Sequence, residues 1–214
     1  MKSKVTVIDY GLGNLFSVKR ALEYCGAEHV VVSSDPDEIR DASHVVLPGV
    51  GAFCDGMRGL INRGMVEPIY SYVETGRPFL GICLGMQLLV TRSEEFGLWD
   101  GLNIIPGKVV EMKKNNTDGS PRKIPKIGWS SLAKKNNSTT ASILNEIDDA
   151  DSVYLVHSYE VITKNSENIL CTYNFGGAEV TAGITFKNTI GLQFHPEKSG
   201  KSGLKILKSF LQLV

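Results

Sequence analysis

Residues 77–89 read Arg77-Pro78-Phe79-Leu80-Gly81-Ile82-Cys83-Leu84-Gly85-Met86-Gln87-Leu88-Leu89. The pattern predicts a buried strand, then a sharp turn that carries Cys83 between two glycines, then a helix. Small flanking residues allow the chain to turn tightly enough to expose the side chain at the turn. Gln87 lies four residues further on, so one helical turn places it on the same side as the cysteine. The stretch therefore predicts a nucleophilic thiol at the end of a strand.

Strands and helices alternate through the first half of the chain. The first pair is a β-rich apolar run from Lys4 to Asp9 and a helical stretch from Leu15 to Cys25. Asp35-Pro36 is typical of a helix start, because a capping side chain precedes a proline at the first helical position. We therefore predict an α/β fold with an open, mostly parallel central sheet and helices on both faces.

Near Glu95 the pattern changes to short strands and longer polar loops. The segment from Ser152 to Ile162 is predicted as one strand. Three further strands and a closing amphipathic helix are predicted at Ile169 to Tyr173, Glu179 to Phe186, Thr189 to Phe194 and Ser202 to Leu211. Lys187-Asn188 is typical of a hairpin turn, so this half of the chain should add antiparallel strands to the sheet. Lys113 to Lys123 is rich in Lys, Asn, Gly and Pro, which predicts a mobile loop.

The bulk composition excludes several classes of protein. The length of 214 residues predicts a single domain that covers residues 1–214. Lys+Arg and Asp+Glu both number 23, which argues against nucleic acid as a partner. There is no apolar run of about 18 residues and no signal-peptide pattern, so we expect a cytoplasmic protein without a membrane partner. The four cysteines are widely spaced and lack a C-x-x-C pair, which favours reduced thiols over a metal site.

A glycine-rich turn, Pro48-Gly49-Val50-Gly51-Ala52-Phe53, follows the third predicted strand. It should lie at the carboxyl edge of the sheet, where open α/β folds bind their ligands. The turn is either an ordinary strand-to-helix loop or a source of backbone N–H groups for an oxyanion that develops near Cys83. A second glycine pair, Gly11 and Gly13, lacks the third glycine of a dinucleotide-binding turn because Phe16 stands there. No cofactor is expected.

A cysteine nucleophile needs a base, and four histidines are present. His29 and His44 stand beside predicted strand starts and are interpreted as surface or packing residues. His157 and His195 remain as candidates. The alternation of the strand end around His195 puts Glu197 on the same face as the imidazole. A carboxylate that fixes the tautomer of a histidine, which in turn activates a nucleophile, is the logic of a catalytic triad.

Together these stretches resemble the class I glutamine amidotransferases, and the likeness covers essentially the whole chain. The shared motifs are Pro48-Gly49-Val50-Gly51, Gly81-Ile82-Cys83-Leu84-Gly85-Met86-Gln87 and His195-Pro196-Glu197. Within that class the chain is similar to the glutaminase subunit of imidazole glycerol phosphate synthase. That closer likeness rests on Ile8-Asp9-Tyr10-Gly11-Leu12-Gly13-Asn14-Leu15, Pro48-Gly49-Val50-Gly51-Ala52-Phe53, Pro125-Lys126-Ile127-Gly128-Trp129 and Val156-His157-Ser158-Tyr159.

The resemblance implies hydrolysis of glutamine to glutamate and ammonia by a Cys-His-Glu triad, Cys83, His195 and Glu197. It implies that the ammonia passes to a (β/α)8-barrel cyclase subunit, with which the chain forms a heterodimer. The products would be imidazole glycerol phosphate and an aminoimidazole carboxamide ribonucleotide, in histidine biosynthesis. Backbone N–H groups of Val50 and Leu84 would bind the oxyanion. Neither a cofactor nor a metal is implied.

The resemblance also assigns residues to substrate and partner. The expected glutamine-binding residues are Gly49, Gly51, Gln87, Ser158 and Tyr159. The residues expected to face the cyclase are Trp129, Tyr154 and Lys198.

Two features depart from the family pattern, and both fall on the presumed partner side. Ser130 stands where asparagine is more usual after the glycine-tryptophan pair, and the lysine-rich loop around Asn116 is longer than in compact members. The identity of the partner therefore stays open. One alternative is a paralogous glutaminase that supplies ammonia to a different synthase, such as one making amidino sugars. The others are a non-catalytic partner-binding protein and a cysteine peptidase with an open cleft.

Overall fold

The computed structural model describes residues 4–135, 139–148 and 150–214, without the side chains of residues 139–141. The strands within these ranges are β1 Lys4–Ile8, β2 His29–Ser33, β3 His44–Gly49, β4 Phe79–Cys83, β5 Val90–Ser93, β6 Trp99–Asp100, β7 Ile105–Glu111, β8 Lys126–Ser131, β9 Ala133–Lys134, β10 Ser152–His157, β11 Tyr159–Thr163, β12 Ile169–Phe175, β13 Ala178–Phe186 and β14 Thr189–Leu192. The α-helices are α1 Leu15–Tyr24, α2 Pro36–Arg40, α3 Phe53–Asn62, α4 Val66–Glu74, α5 Leu84–Leu88 and α6 Gly200–Leu211. None of these helices is long and apolar enough to cross a membrane.

Eight strands form the central sheet, in the order β2-β1-β3-β4-β14-β13-β12-β9. The four pairs from β2 to β14 are parallel, and the three pairs from β14 to β9 are antiparallel. The predicted mostly parallel sheet with an added antiparallel region is therefore confirmed. β4 lies in the middle, between β3 and β14, and all five of its residues are buried. Its carboxyl end consequently meets the ends of two other strands at one edge of the sheet.

Each face of the sheet is covered by its own set of apolar side chains. On one face Leu80 and Ile82 of β4 belong to a cluster with Leu22 of α1 and Phe210 of α6. On the other face Phe79 belongs to a cluster with side chains of α3, α4 and α5. Alternate residues of β4 thus point to opposite layers of helices, as strand geometry requires. The two layers confirm the prediction of helices on both faces.

The segment from Ser152 to Ile162 is not one strand, so that prediction is wrong. The strand is interrupted at Ser158. β10, which precedes this residue, pairs with β8, whereas β11, which follows it, pairs with β7 in a separate four-stranded sheet. Hydrogen bonds fix the break: His157 Nδ1 lies 2.8 Å from the carbonyl oxygen of Tyr159, and Met112 N donates to the carbonyl of Ser158. Residues with strand propensity continue across this point, so no local sequence signal marks where the chain passes from one sheet to the other.

Candidate active site

Cys83 ends β4 and has a φ of 55°, in the left-handed region that a non-glycine residue adopts at a cost. The two flanking glycines allow helix α5 to lie directly against the sheet. A Cβ added to Gly85 would stand 1.8 Å from the carbonyl oxygen of Leu47 in β3, and one added to Gly81 would stand 2.6 Å from the carbonyl oxygen of Gly85. The sequence pattern alone indicated that these glycines serve a tight turn. The structure shows that they are needed for close backbone packing on both sides of the cysteine.

His195 follows β14, the parallel neighbour of β4 on the side away from β3. Its Nδ1 lies 2.8 Å from Oε1 of Glu197, and the side chains of both residues are almost fully buried. The imidazole lines the same cavity as Cys83, and Cys83 raises the pKa of the ring. Glu197 reaches the ring through a 3-10 turn, Pro196–Lys198, and not through continued strand alternation, because β14 ends at Leu192. The structure therefore brings the three predicted triad residues together, but by a different local geometry.

The electrostatics of His195 reflect this contact. Burial lowers the pKa of an imidazole, because it disfavours the charged form. Hydrogen bonds to Cys83 and Glu197, together with the charges of those groups, outweigh burial and raise the pKa of His195 to about 9. An imidazolium is therefore the main form at neutral pH. A positive charge beside a cysteine stabilises the thiolate, which is the reactive form.

A cavity of about 360 Å³ opens in front of Cys83. Its walls are Val50, Gly51, Cys83, Leu84, Gln87, Glu95, Phe96, Val156, His157, Ser158, Tyr159 and His195. Of the residues predicted to bind substrate, only Gly49 is not part of the wall. A Cβ at Gly49 would stand 2.3 Å from Oη of Tyr10 and 2.8 Å from Cβ of Leu84. Gly49 is thus needed for packing behind the turn.

Glu95 is a polar residue of this cavity that was not predicted from the sequence. It is buried, and its Oε2 accepts a hydrogen bond of 2.6 Å from the backbone N–H of Phe53. Burial raises the pKa of Glu95, the hydrogen bond from Phe53 lowers it, and the charge of Asp55 raises it, with a net upward shift. Glu95 follows β5, a strand that the sequence pattern did not reveal. No signal in the sequence distinguished this carboxylate from a surface one.

His157, the other candidate base, organises one wall of the cavity. Its Nδ1 contacts the carbonyl oxygen of Tyr159 and its Nε2 lies 2.8 Å from Oη of Tyr173. Burial lowers the pKa of His157 to about 4, despite the hydrogen bond to Tyr159 and with a further contribution from the charges of Lys126 and His195. The ring is therefore neutral, donates from Nδ1 and accepts from the tyrosine hydroxyl. Both nitrogens are engaged in the fold, which leaves His195 as the base beside Cys83.

Gln87 completes the same wall. Its Nε2 donates to Oε1 of Gln193 at 3.1 Å and, at 3.5 Å, to the carbonyl of Tyr159. Gln193 in turn points its Nε2 at the sulfur of Cys83, 3.8 Å away. These contacts hold the Tyr159 backbone, Gln87 and the cysteine in one hydrogen-bonded group. Among the described residues no group of three or more His, Cys, Asp or Glu side chains could hold a metal ion.

The comparison with known proteins agrees with this geometry. A family model described as glutamine amidotransferase class-I matches residues 6–213. The chain belongs to the class I glutamine amidotransferase family.

Several relatives of this amidotransferase chain have names that state their role. It is 46% identical to imidazole glycerol phosphate synthase subunit HisH 1 of Legionella pneumophila (strain Paris), over 99% of this chain and 100% of the relative. It is also 46% identical to imidazole glycerol phosphate synthase subunit HisH of Geobacter sulfurreducens, over 97% of this chain and 98% of the relative. Both relatives match nearly end to end.

Solved structures share the fold of this amidotransferase at lower identity. The structure of PurLQS from Thermotoga maritima matches with a TM-score of 0.73 and 23% identity, over 99% of each chain. The glutaminase domain of Trypanosoma brucei CTPS matches with a TM-score of 0.64 and 15% identity, over 98% of this chain and 94% of that one. These likenesses show the fold alone.

The three residues predicted to face a partner lie close together on the amidotransferase. Trp129 of β8 and Tyr154 of β10 are directly paired across the two-stranded sheet, with ring centroids 5.9 Å apart in an edge-to-face arrangement. Trp129 is 53% exposed. The carbonyl of Tyr154 accepts the backbone N–H of His195, and Lys198 is exposed in the turn that carries Glu197. Tyr154, the strand partner of Trp129, is therefore hydrogen-bonded through its backbone to His195, the proposed catalytic base.

Proposed function

We propose that the chain is the glutaminase subunit of imidazole glycerol phosphate synthase. It hydrolyses glutamine and delivers the ammonia to a cyclase subunit, which forms imidazole glycerol phosphate and an aminoimidazole carboxamide ribonucleotide in histidine biosynthesis. The observation that carries the proposal is the placement of Cys83 and His195 in one cavity, with His195 hydrogen-bonded to Glu197. The end-to-end match to named subunits of this synthase supports the choice of pathway.

The proposed reaction uses Cys83 as the nucleophile and His195 as the group that gives and takes protons. The thiolate of Cys83 attacks the carboxamide carbon of glutamine and forms a tetrahedral oxyanion. His195 gives its proton to the nitrogen that leaves as ammonia, and a γ-glutamyl thioester remains. The neutral imidazole then takes a proton from water, whose oxygen attacks the thioester carbon and releases glutamate and the Cys83 sulfur. Glu197 holds the ring by its Nδ1, so that Nε2 faces the reacting atoms.

Backbone groups next to the cysteine serve the oxyanion. Leu84 is the first residue of α5, so its N–H has no acceptor within the helix. Val50 belongs to the glycine turn at the opposite side of the cavity and supplies a second N–H. The packing of α5 against β3 holds the first of these donors in place. Such donors stabilise charge that develops in the transition state.

The remaining polar walls recognise the two ends of glutamine. The buried carboxylate of Glu95 binds the α-ammonium group of glutamine. The ammonium compensates the negative charge of Glu95, whose burial would otherwise be costly. Gln87, Gly51 and the backbone of Ser158 and Tyr159 line the other side. The volume of about 360 Å³ holds one amino acid but not an extended peptide. This shape favours a glutaminase over a peptidase.

A cyclase subunit is the partner that receives the ammonia, and a (β/α)8 barrel is its proposed form, in a heterodimer with this chain. Trp129, Tyr154 and Lys198 are the proposed contacts. Large exposed aromatic residues are frequent anchors of protein interfaces. We propose in addition that residues 1–214 form one domain, because both apolar clusters pack on one central sheet. All four cysteines are free thiols, which supports a reducing compartment such as the cytoplasm.

The test of the proposed function is the variant Cys83→Ala, assayed with the purified cyclase partner. We expect loss of glutamine-dependent synthesis, while synthesis from added ammonium salt is retained, because the cyclase does not need the thiol. Cys54→Ala is the matched control and should keep both activities, since Cys54 is outside the cavity. Loss of both activities in Cys83→Ala would contradict a catalytic role. Glutamine hydrolysis without synthesis in the native pair would favour a different synthase as the partner.

A further inference from the structure

The lysine-rich loop that departs from the family pattern is a folded part of the molecule. Asn116 N donates to the carbonyl of Ser120, and Arg122 N donates to the carbonyl of Lys114, both at 2.8 Å. Thr117 N donates at 2.9 Å to the carbonyl of Gly176, in the turn between β12 and β13. The loop is therefore closed on itself and tied to the central sheet. The glutaminase chemistry uses none of these contacts.

The loop buries one guanidinium group. Arg122 is only 7% exposed, and its CZ carbon lies 5.0 Å from the ring centroid of Phe175. Its hydrogen bonds are long: 3.3 Å from Nε to Oδ1 of Asn116 and 3.5 Å from Nη2 to the carbonyl of Gly176. Among the described residues Arg122 forms no ion pair, although burial raises the pKa of Glu160 and the charge of Arg122 lowers it, so Glu160 is a partial counter-charge. A buried charge is costly unless an opposite charge accompanies it.

Arg122 faces the wall of a second cavity, of about 520 Å³, larger than the one at Cys83. The wall is formed by Lys113, Arg122, Glu160, Ile162, Thr163, Lys164, Ser166, Ile169, Ala178, Glu179, Val180 and Thr181. Glu179 is already paired with Lys135 at 3.0 Å. Of the other charged groups in this wall, Lys113, Arg122 and Lys164 are positive and Glu160 is negative. Two positive charges are therefore not balanced by a carboxylate of the wall. Hydroxyl groups and aliphatic side chains complete the lining.

Strand β11 separates the two cavities. Tyr159 lines the cavity at Cys83, and the next residue, Glu160, lines the second one. Successive residues of a strand point to opposite faces, so the two cavities lie on opposite sides of the same strand. The backbone of Tyr159 is the acceptor for both His157 and Gln87. The second cavity is thus separate from the active site but adjoins its wall.

We propose that the second cavity binds a small organic anion with two negative charges, held by Arg122, Lys113 and Lys164. The planar guanidinium matches a carboxylate or a phosphate group in a bidentate geometry. The two lysines compensate the remaining charge, and the hydroxyl groups of Ser166 and Thr181 donate hydrogen bonds, whereas that of Thr163 already donates to the carbonyl of Asn165. Ile162, Ile169 and Val180 cover the carbon skeleton. The anion supplies the negative charge that Glu160 alone does not provide for Arg122, Lys113 and Lys164.

The competing explanation is structural: Arg122 holds the loop against Phe175 and Gly176, and Glu160 alone balances its charge across a water-filled cavity. Both explanations predict a loss of stability when Arg122 is replaced. They differ in whether the full chain binds a dianion in a saturable way, and in whether the exposed lysines of the cavity matter for binding.

Isothermal titration of the full chain with succinate, and separately with glycerol 3-phosphate, tests the proposal. We expect saturable binding of one molecule per chain, and the stronger of the two probes distinguishes a carboxylate from a phosphate site. Arg122→Gln should weaken binding about tenfold or more, because a charge-assisted hydrogen bond is lost. Lys164→Ala should weaken it about threefold, because an exposed charge contributes less. Lys201→Ala, on α6, is the matched control and should bind as the native chain does.

Two results would overturn the proposal. The first is that neither probe binds in a saturable way at concentrations up to about 10 mM, because a specific site with two uncompensated positive charges should be occupied at that concentration. The other is an unchanged affinity in Arg122→Gln. Where thermal unfolding shows that this variant does not fold, the double variant Lys113→Ala, Lys164→Ala replaces it, because both lysines are exposed. Unchanged affinity in a folded double variant would then overturn the proposal.

Discussion

Burial and hydrogen bonding act in opposite directions on the pKa of His195. Burial favours the neutral imidazole, and the contacts with Cys83 and Glu197 favour the charged one. The contacts prevail, which raises the pKa to about 9. The neighbouring His157, which hydrogen-bonds a carbonyl and a tyrosine hydroxyl, has its pKa lowered to about 4, mainly by burial. Two buried histidines on one cavity thus differ in protonation state, because hydrogen bonds and charges outweigh burial at His195, whereas burial prevails at His157.

The raised pKa of His195 makes stability depend on pH. Its folded pKa, about 9, exceeds the ordinary value of 6.5, so its stabilising contribution is complete below pH 6.5 and is lost as pH rises through 9. Glu197→Gln removes the carboxylate charge and should lower the folded pKa. We therefore expect the fall in the free energy of unfolding between pH 6.5 and 9 to be smaller in this variant. Urea unfolding at several pH values measures it.

A matched variant separates this effect from a general loss of charge. Glu179→Gln removes a carboxylate from an exposed ion pair with Lys135 and should leave the pH dependence unchanged. An identical pH dependence in Glu197→Gln and the native chain would mean that Glu197 does not hold His195 in its charged form. In that case the proposed role of Glu197 in orienting the ring of His195 would also be wrong.

At the scale of the element, the unit that matters is β4, the turn at Cys83 and helix α5. The five-residue helix lies so close to β3 and β4 that its glycine has no space for a side chain. This contact holds the first N–H groups of the helix beside the sulfur. The strained φ of Cys83 is maintained by the packing on both sides, which is the usual origin of strain at functional sites.

Gly85→Ala tests the importance of this packing. The added Cβ would meet the carbonyl oxygen of Leu47 at 1.8 Å, and neither backbone segment can move freely because both are buried. We expect a loss of about 3 kcal/mol or more in the free energy of unfolding. Denaturant unfolding measures the loss.

Gly64→Ala is the matched control for this prediction. Gly64 has a φ of 64° and no atom within 4 Å of the added Cβ, so only the left-handed backbone opposes the change. The expected cost is about 1 kcal/mol. A loss in Gly85→Ala no larger than that in Gly64→Ala would show that close packing does not exclude a side chain at position 85.

At the scale of the whole molecule, one edge of the central sheet collects the ends of β3, β4 and β14, and the smaller sheets close the cavity from the other side. The pair of β8 and β10 links this cavity to the exposed ring of Trp129, through the hydrogen bond from His195 N to the carbonyl of Tyr154. Binding of a partner to Trp129 would therefore act on backbone that is bonded directly to the proposed catalytic histidine.

Trp129→Ala tests the proposed partner surface. We expect the affinity for the cyclase subunit to fall about 30-fold or more, as is usual when a central aromatic anchor is removed. The isolated chain should lose only the edge-to-face contact with Tyr154, about 1 kcal/mol. Titration of the two subunits and denaturant unfolding of the variant measure the two quantities.

Ile61→Ala provides the control, because Ile61 is 61% exposed on α3, away from β8 and β10. It should bind the cyclase with native affinity. A native affinity for Trp129→Ala as well would place the partner on another surface of the chain.

The fold class and the candidate catalytic residues follow from local sequence patterns. Alternating apolar runs specify strands and helices through local periodicity, which is why β1, α1 and the strand before Cys83 could be predicted directly. The G-x-C-x-G stretch and the strand end at His195 stand out because few other structures need those residue types at that spacing. The likeness to class I amidotransferases then followed from motifs.

Only the tertiary structure decided how these parts meet. Glu95, the bracing role of His157 and the break at Ser158 were not predicted, because they depend on strands that pair with distant segments. Glu197 reaches His195 through a turn that local alternation does not describe. The same holds for Arg122, a loop residue by composition, which is buried because its loop is bonded to the turn at Gly176. Local sequence specifies periodicity and turns, whereas burial and electrostatics arise from contacts between residues far apart in the chain.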